Sequence, residues 1–457
     1  MYRLQKINFL LIIVSIGLFL RCKKSDSSNQ MQNNEKPNII FIMADDLGFN
    51  DLGAYGQKEI LTPNIDRLAE EGVRFTQTYT GSTVCAPSRS VLMTGKHLGH
   101  TTVRGNSSPS MQSETNPQGR VPLLDEDITV AEVLKQAGYI TGMTGKWGLG
   151  EPGTTGLPTR QGFDKWFGYL NQKRAHSYYP EYLWENEERY ELSGNLNGER
   201  NEYSHDLMTD FALDFVRDYQ DTTFFLYIPY TIPHDKYEVP DTSMYINKPW
   251  SEEEKIFAAM VSRMDGDIGK LMALLKELKI DKKTIVFFCS DNGAAQRWDG
   301  VFDSSGILKG RKRDMYEGGI RTPMIVRFPG VIAPALNEKD VWYFADVLPT
   351  FAAIAGVGVP SHVDGINVWP AIIGEDQLPI DRFLYWEFYE GRFGQAVRWK
   401  NWKAVKNDVD KSWELYDLSQ DESENKNVVE KYPEIIDHIK KWVEENREES
   451  SYWSSGM

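Results

Sequence analysis

Cys85 opens the stretch Cys85-Ala86-Pro87-Ser88-Arg89, and the residues after it run through an apolar turn to Thr94-Gly95. The segment from Ala86 to Thr94 reads as the start of a helix, with Pro87 early enough that its missing N–H costs little. Cys85 then stands at a helix N-terminus. Unpaired N–H groups and the positive end of the macrodipole there favour a nucleophile that carries negative charge, with an anionic substrate beside it. Arg89, four residues on, returns to the same face. The competing reading is a cysteine packed as a small hydrophobe, the commoner fate of a lone one.

Two oxygen-rich pairs stand at what read as strand ends. Pro37-Asn38-Ile39-Ile40-Phe41-Ile42-Met43-Ala44 is apolar on both faces, as in a buried parallel strand, and stops at Asp45-Asp46. Thr284 to Ser290 repeats the pattern and stops at Asp291-Asn292. Adjacent acids at the carboxyl end of a buried strand repel each other unless a cation lies between them. Four oxygen ligands suit a hard divalent metal such as Ca²⁺. The elements that must position these residues alternate helical and strand patterns. Helices are predicted over 62–71, from a capping box at Thr129 and Glu132, over 204–219 and over 252–278. That alternation predicts an α/β fold: a large mixed, mostly parallel sheet with helices on both faces. Short aromatic strands at 383–388, 395–399 and 402–406 and a charged helix at 433–446 predict a small C-terminal antiparallel subdomain.

Taken together, these strings resemble the formylglycine-dependent sulfatases of the alkaline phosphatase superfamily, from about Pro37 to Val429. C-x-P-S-R resembles the activation motif in which the cysteine is oxidised to an aldehyde. Gly145-Lys146-Trp147-Gly148-Leu149-Gly150 is similar to the family's G-K-W-H-L-G, Thr231-Ile232-Pro233-His234 to the segment carrying a histidine beside the scissile oxygen, and Lys309 to Gly319 to a segment with a second sulfate-binding lysine. The resemblance implies one Ca²⁺ held by Asp45, Asp46, Asp291, Asn292 and the converted Cys85. It further implies sulfate oxygens held by Arg89, Lys146 and Lys312, a proton donated by His234, and a maturation enzyme that makes the formylglycine. A phosphomonoesterase or phosphonate hydrolase of the same superfamily would share the metal pairs, and a dead surface glycan-binding protein would keep the aromatic loop.

Gly148 departs from the family pattern, which has a histidine there. Another base must replace it; the expectation is His176, with His97 or His100 as substitutes. The loop holding His176 also carries Asn171, Gln172, Tyr178 and Tyr179, amide and aromatic groups suited to the two faces of a sugar ring. The expected substrate is a sulfated glycan or polysaccharide, cleaved from its end.

Composition bounds the rest. With 66 acidic against 51 basic residues the chain carries a formal charge of -15, which argues against a nucleic-acid partner. Three cysteines imply no disulfide framework. Arg3, Lys6 and the apolar run from Phe9 to Leu20 read as a signal peptide over 1–21, and Cys22 as the site of a lipid anchor, although Arg21 is unusual before a lipidated cysteine. Residues 22–36 are a polar tether, 37–378 the catalytic domain and 379–457 the C-terminal subdomain. The expected location is the bacterial cell envelope, in the periplasm or at the outer membrane.

Overall fold

Strand formation follows the apolar runs. In the computed structural model, which describes residues 36–456, Asn38–Ala44 (β1) is buried along its whole length. The signal peptide, Cys22 and the tether up to residue 35 lie outside the described residues. Successive side chains of a strand point to opposite faces. Ile39, Phe41 and Met43 accordingly enter one apolar cluster, and Ile40, Ile42 and Ala44 the other.

The remaining strands of the large sheet are Val73–Tyr79 (β2), Ile140–Lys146 (β3), Lys165–Tyr169 (β4), Tyr182–Glu185 (β5), Glu188–Glu191 (β6), Phe224–Pro229 (β7), Thr284–Ser290 (β8), Arg321–Arg327 (β9), Ala335–Asn337 (β10) and Trp342–Tyr343 (β11). Their spatial order is β10-β2-β9-β8-β1-β7-β3-β4-β5-β6, with β11 also paired to β2. The central run β8-β1-β7-β3-β4 is parallel throughout, while β9 and the β5–β6 hairpin pair antiparallel. Helices Val130–Gln136 and Val347–Ala355 cover one face, and Ser204–Asp218 and Glu252–Glu277 the other. The capping box at Thr129 and Glu132 forms, and Ser251 and Glu254 make a second one.

A separate antiparallel sheet follows, of Phe383–Phe388 (β12), Gly394–Trp399 (β13), Trp402–Lys406 (β14) and Glu414–Asp417 (β15), with the helix Pro433–Asn446 against it. One face joins the main core through Leu384, Trp386 and Ala396; the other packs Tyr385, Val397 and Leu415 on Ile436 and Ile439. The fold is the expected one. The sequence patterns do not predict the hairpin β5–β6, whose second strand is exposed at every residue.

Candidate active site

Four neighbouring parallel strands deliver the site, because their carboxyl ends open on the same edge of the sheet. β8 leads into Asp291 and Asn292, β1 into Asp45 and Asp46, β7 through Thr231 to His234, and β3 ends on Lys146. Ala44 pairs with Ser290, and the Asp291 N–H donates to the Ala44 carbonyl at 3.0 Å, so the two acidic pairs lie side by side. Asp46 adopts a left-handed backbone (φ 66°), and its N–H donates to Asp291 Oδ1 at 3.2 Å.

Cys85 begins the helix Cys85–Thr94, every residue of which is buried. Its Sγ lies 3.3 Å from Asp45 Oδ1, 4.0 Å from Asp46 Oδ1 and 3.6 Å from Lys312 Nζ. Arg89, one turn on, donates to Asp291 Oδ2 from Nη2 at 2.8 Å and Nε at 3.2 Å, and also to the Lys146 carbonyl. Lys146 Nζ reaches Asp45 Oδ2 at 2.5 Å, and Lys312 Nζ sits 2.7 Å from the Asp46 carboxylate and 3.3 Å from His234 Nε2. Three buried carboxylates are thus interleaved with three cations.

Charge crowding sets the protonation equilibria. Burial alone would raise Asp45, but Lys146, His234, Arg89 and Lys312 outweigh it and hold the carboxyl far below its usual range. Burial and the nearby Asp45 push Asp291 up to about 6 against the pull of Arg89. Burial, Asp291 and Asp45 drive the Cys85 thiol well above its ordinary value. The Asn292 side chain donates from Nδ2 to Asp46 Oδ1 at 2.7 Å and to the Gly293 carbonyl at 2.9 Å, which leaves its buried Oδ1 without a partner. Three carboxylates and an unpaired amide oxygen form an oxygen donor set that fits a hard divalent cation. Donor atoms of Asp45, Asp46, Cys85 and His234 also lie within 4.8 Å of one another.

Above this floor opens a cavity of about 720 Å³, lined by Asp46, Cys85, Gln172, His176, His234 and Lys312 among others. His234 is buried, its Nε2 facing Asp46 at 3.5 Å and its Nδ1 facing Asp235 Oδ1 at 3.0 Å. His176 approaches the same Asp235 oxygen at 3.3 Å and meets the His234 ring edge-on at 4.4 Å between centroids. Hydrogen bonds from His176 and then His234 hold the Asp235 carboxyl far below its usual range.

Three residues of the expected sugar-binding set do not line this cavity. Tyr178 is fully buried, with its hydroxyl 2.7 Å from the Thr231 carbonyl and 2.9 Å from that of His234, so it props the His234 loop from behind. Tyr179 packs on Tyr203 under the Arg200 guanidinium. Asn171 bonds Glu151 and the Arg174 N–H. His97 and His100 are also elsewhere, paired with Asp364 against Tyr385 and Trp442 of the C-terminal sheet and helix. Conversely, Asp235, Asn106, Arg120, Arg313 and Glu390 line the cavity without having been singled out. Asp235 was within reach of sequence reasoning, as the acid beside His234. Arg313 was too, beside Lys312; Asn106, Arg120 and Glu390 come from distant segments that carry no motif.

A buried cysteine at a helix start, beside acidic strand ends and under a histidine, suits the hydrolysis of anionic esters. The chain belongs to the sulfatase family: residues 37–357 match Sulfatase, and residues 310–449 match N-sulphoglucosamine sulphohydrolase, C-terminal. It is 33% identical over 417 residues to the N-acetylgalactosamine-6-sulfatase of Canis lupus familiaris, covering 86% of this chain and 76% of that protein. It is likewise 33% identical over 395 residues to arylsulfatase A of Homo sapiens, with coverage of 80% and 74%. Among solved structures, Ps i-CgsB in complex with k-i-k-neocarrahexaose superposes with a TM-score of 0.80 at 29% identity, covering 92% of this chain and 96% of that one. The protein is a sulfatase, an enzyme that hydrolyses sulfate esters.

Proposed function

We propose that this sulfatase removes terminal sulfate groups from a sulfated glycan, using a formylglycine made from Cys85 and a Ca²⁺ ion. The observation that carries the proposal is the position of Cys85. Its side chain starts a helix at the floor of the cavity, between Asp45, Asp46 and Lys312 and below His234. Sugar as the substrate is supported by the N-acetylgalactosamine-6-sulfatase relatives and by the neocarrahexaose held by Ps i-CgsB. Action at a chain end is supported by a cavity of about 720 Å³, the size of one small ligand, closed at its floor.

Asp45, Asp46, Asp291 and Asn292 would hold the cation, which supplies positive charge opposite the sulfate group. The aldehyde at position 85 supplies, as its hydrate, an oxygen nucleophile and a route for releasing sulfate that a thiol lacks. Lys312, now shared between Asp46 and Cys85, is placed to hold a sulfonate oxygen. Lys146 and Arg89 add charge from beneath and lock the acidic pairs in register. His234 protonates the leaving sugar oxygen from Nε2, its other nitrogen being fixed by Asp235. His176 shares that carboxylate and accepts protons at the cavity mouth, the work left open by Gly148. The N-terminal segment further suggests an exported, lipid-anchored enzyme, so wild-type protein should fractionate with the cell envelope and Cys22→Ser should release it.

The direct test is intact-peptide mass spectrometry across residue 85 together with metal analysis. An aldehyde mass, loss of turnover in Cys85→Ala with an unchanged fold, and loss of activity on chelation with recovery on adding Ca²⁺ are expected. A fully active enzyme with an unmodified thiol, or one indifferent to exhaustive chelation, would sink the proposal.

A further inference from the structure

Gln172 is the polar side chain on the cavity wall whose surroundings leave it unexplained. It is 6% exposed, lines the cavity with Cys85 and His176, and has no hydrogen-bond partner at Nε2 or Oε1. An unpaired buried amide is costly to keep. Its space exists because residue 148 is glycine: a Cβ there would lie 2.1 Å from Gln172 Nε2, and Gly148 holds a left-handed backbone of φ 82°. A side chain at 148 would displace the Gln172 amide from this position. Where the G-K-W-H-L-G pattern would place an imidazole, this fold places a carboxamide.

A carboxamide stays neutral at every working pH, so it cannot replace a base. Its ligand can be inferred from which of its atoms lack partners. Sulfonate oxygens only accept hydrogen bonds and would leave Oε1 unpaired. A sugar hydroxyl both donates and accepts, and two neighbouring hydroxyls give both Nε2 and Oε1 a partner. We propose that Gln172 is a specificity residue whose amide, covered beside Gly148 in this structure, turns outward to read hydroxyl groups next to the sulfated carbon, Nε2 donating to one and Oε1 accepting from another. This rests on the carbohydrate reading above and narrows it to sugars with a free hydroxyl beside the sulfate.

The test compares Gln172→Met, of similar volume without the amide, with the wild type on two substrates. One is a sulfated mono- or disaccharide cleaved by the wild type; the other is 4-nitrophenyl sulfate, whose ring carries no hydroxyl. Expected are a fall in kcat/KM of roughly 10–100-fold on the saccharide and a change within about threefold on the aryl ester. The melting temperature should stay level or rise, because an unpaired buried amide has been removed. Gln172→Asn, which withdraws the amide by one carbon, should fall between. Equal losses on both substrates, no loss on either, or a lowered melting temperature accompanying the loss would overturn the assignment while leaving the carbohydrate reading intact. A wild type that cleaves 4-nitrophenyl sulfate but no sulfated saccharide would overturn both.

Discussion

Two clusters in this molecule have the same composition, two histidines and one aspartate, and opposite circumstances. His176, His234 and Asp235 gather at the cavity, with the His176 side chain 40% exposed and Asp235 more open still. His97, His100 and Asp364 tie the segment after the helix Cys85–Thr94 to the C-terminal sheet. There the His97 ring stacks on His100 at 4.2 Å and packs against Tyr385 and Trp442. In both, a carboxylate orients imidazole groups. Only in the first does an imidazole face a void beside Cys85 and Lys312. Residue types give a cluster its chemical capacity; access to a substrate decides whether that capacity becomes catalysis or packing.

The comparison can be broken most directly at His234. His234→Ala should lower kcat on a poor leaving group by roughly 10²–10⁴-fold, with little change in melting temperature. A variant that instead unfolds would place the ring among the structural group. His176→Ala should cost about 10²-fold in turnover on a sulfated oligosaccharide and remove one limb of the pH–rate profile. Unchanged turnover would put His176 outside the chemistry.

Asp235→Asn sharpens the contrast through geometry. It should lower kcat about tenfold, since the carboxylate that orients both imidazole rings is gone. KM should change less than kcat.

The structural cluster should respond in stability alone. Asp364→Ala removes the acceptor of the His97 N–H and the partner of His100, and should cost about 1–3 kcal/mol in denaturant unfolding with kcat retained. The pH dependence follows from His97, which burial lowers from its ordinary 6.5 to about 4. As pH falls below 6.5 the unfolded chain binds a proton that the folded one refuses, so stability declines until about pH 4 and then levels. The Asp364 carboxyl, held low by His100 and His97 against the opposing effect of burial, adds loss of the same sign as pH falls further. His97→Gln should flatten the upper part of that slope, by up to about 3 kcal/mol. An unaltered slope would show that His97 does not titrate as its burial implies.

What could be read from the chain alone was local in origin. Asp45-Asp46 and Asp291-Asn292 sit where apolar runs stop, Cys85 sits where a helix starts, and Lys146 closes its own strand; in each case neighbours in sequence are neighbours in the site. Their apolar periodicity also announced a parallel sheet covered on both faces. The folded structure decided which histidine joins His234 at the cavity, because His176 and His97 look alike until strand order and loop packing put His176 on the cavity wall and His97 against Trp442. It decided the fate of the aromatic loop too. Tyr178 turned inward to hold the Thr231 and His234 carbonyls, while Gln172, six residues earlier, took the space left by Gly148. The cavity wall is assembled from Asn106, Arg120, Gln172, Asp235 and Glu390. Residues so far apart along the chain become neighbours only through tertiary packing, which short motifs do not encode.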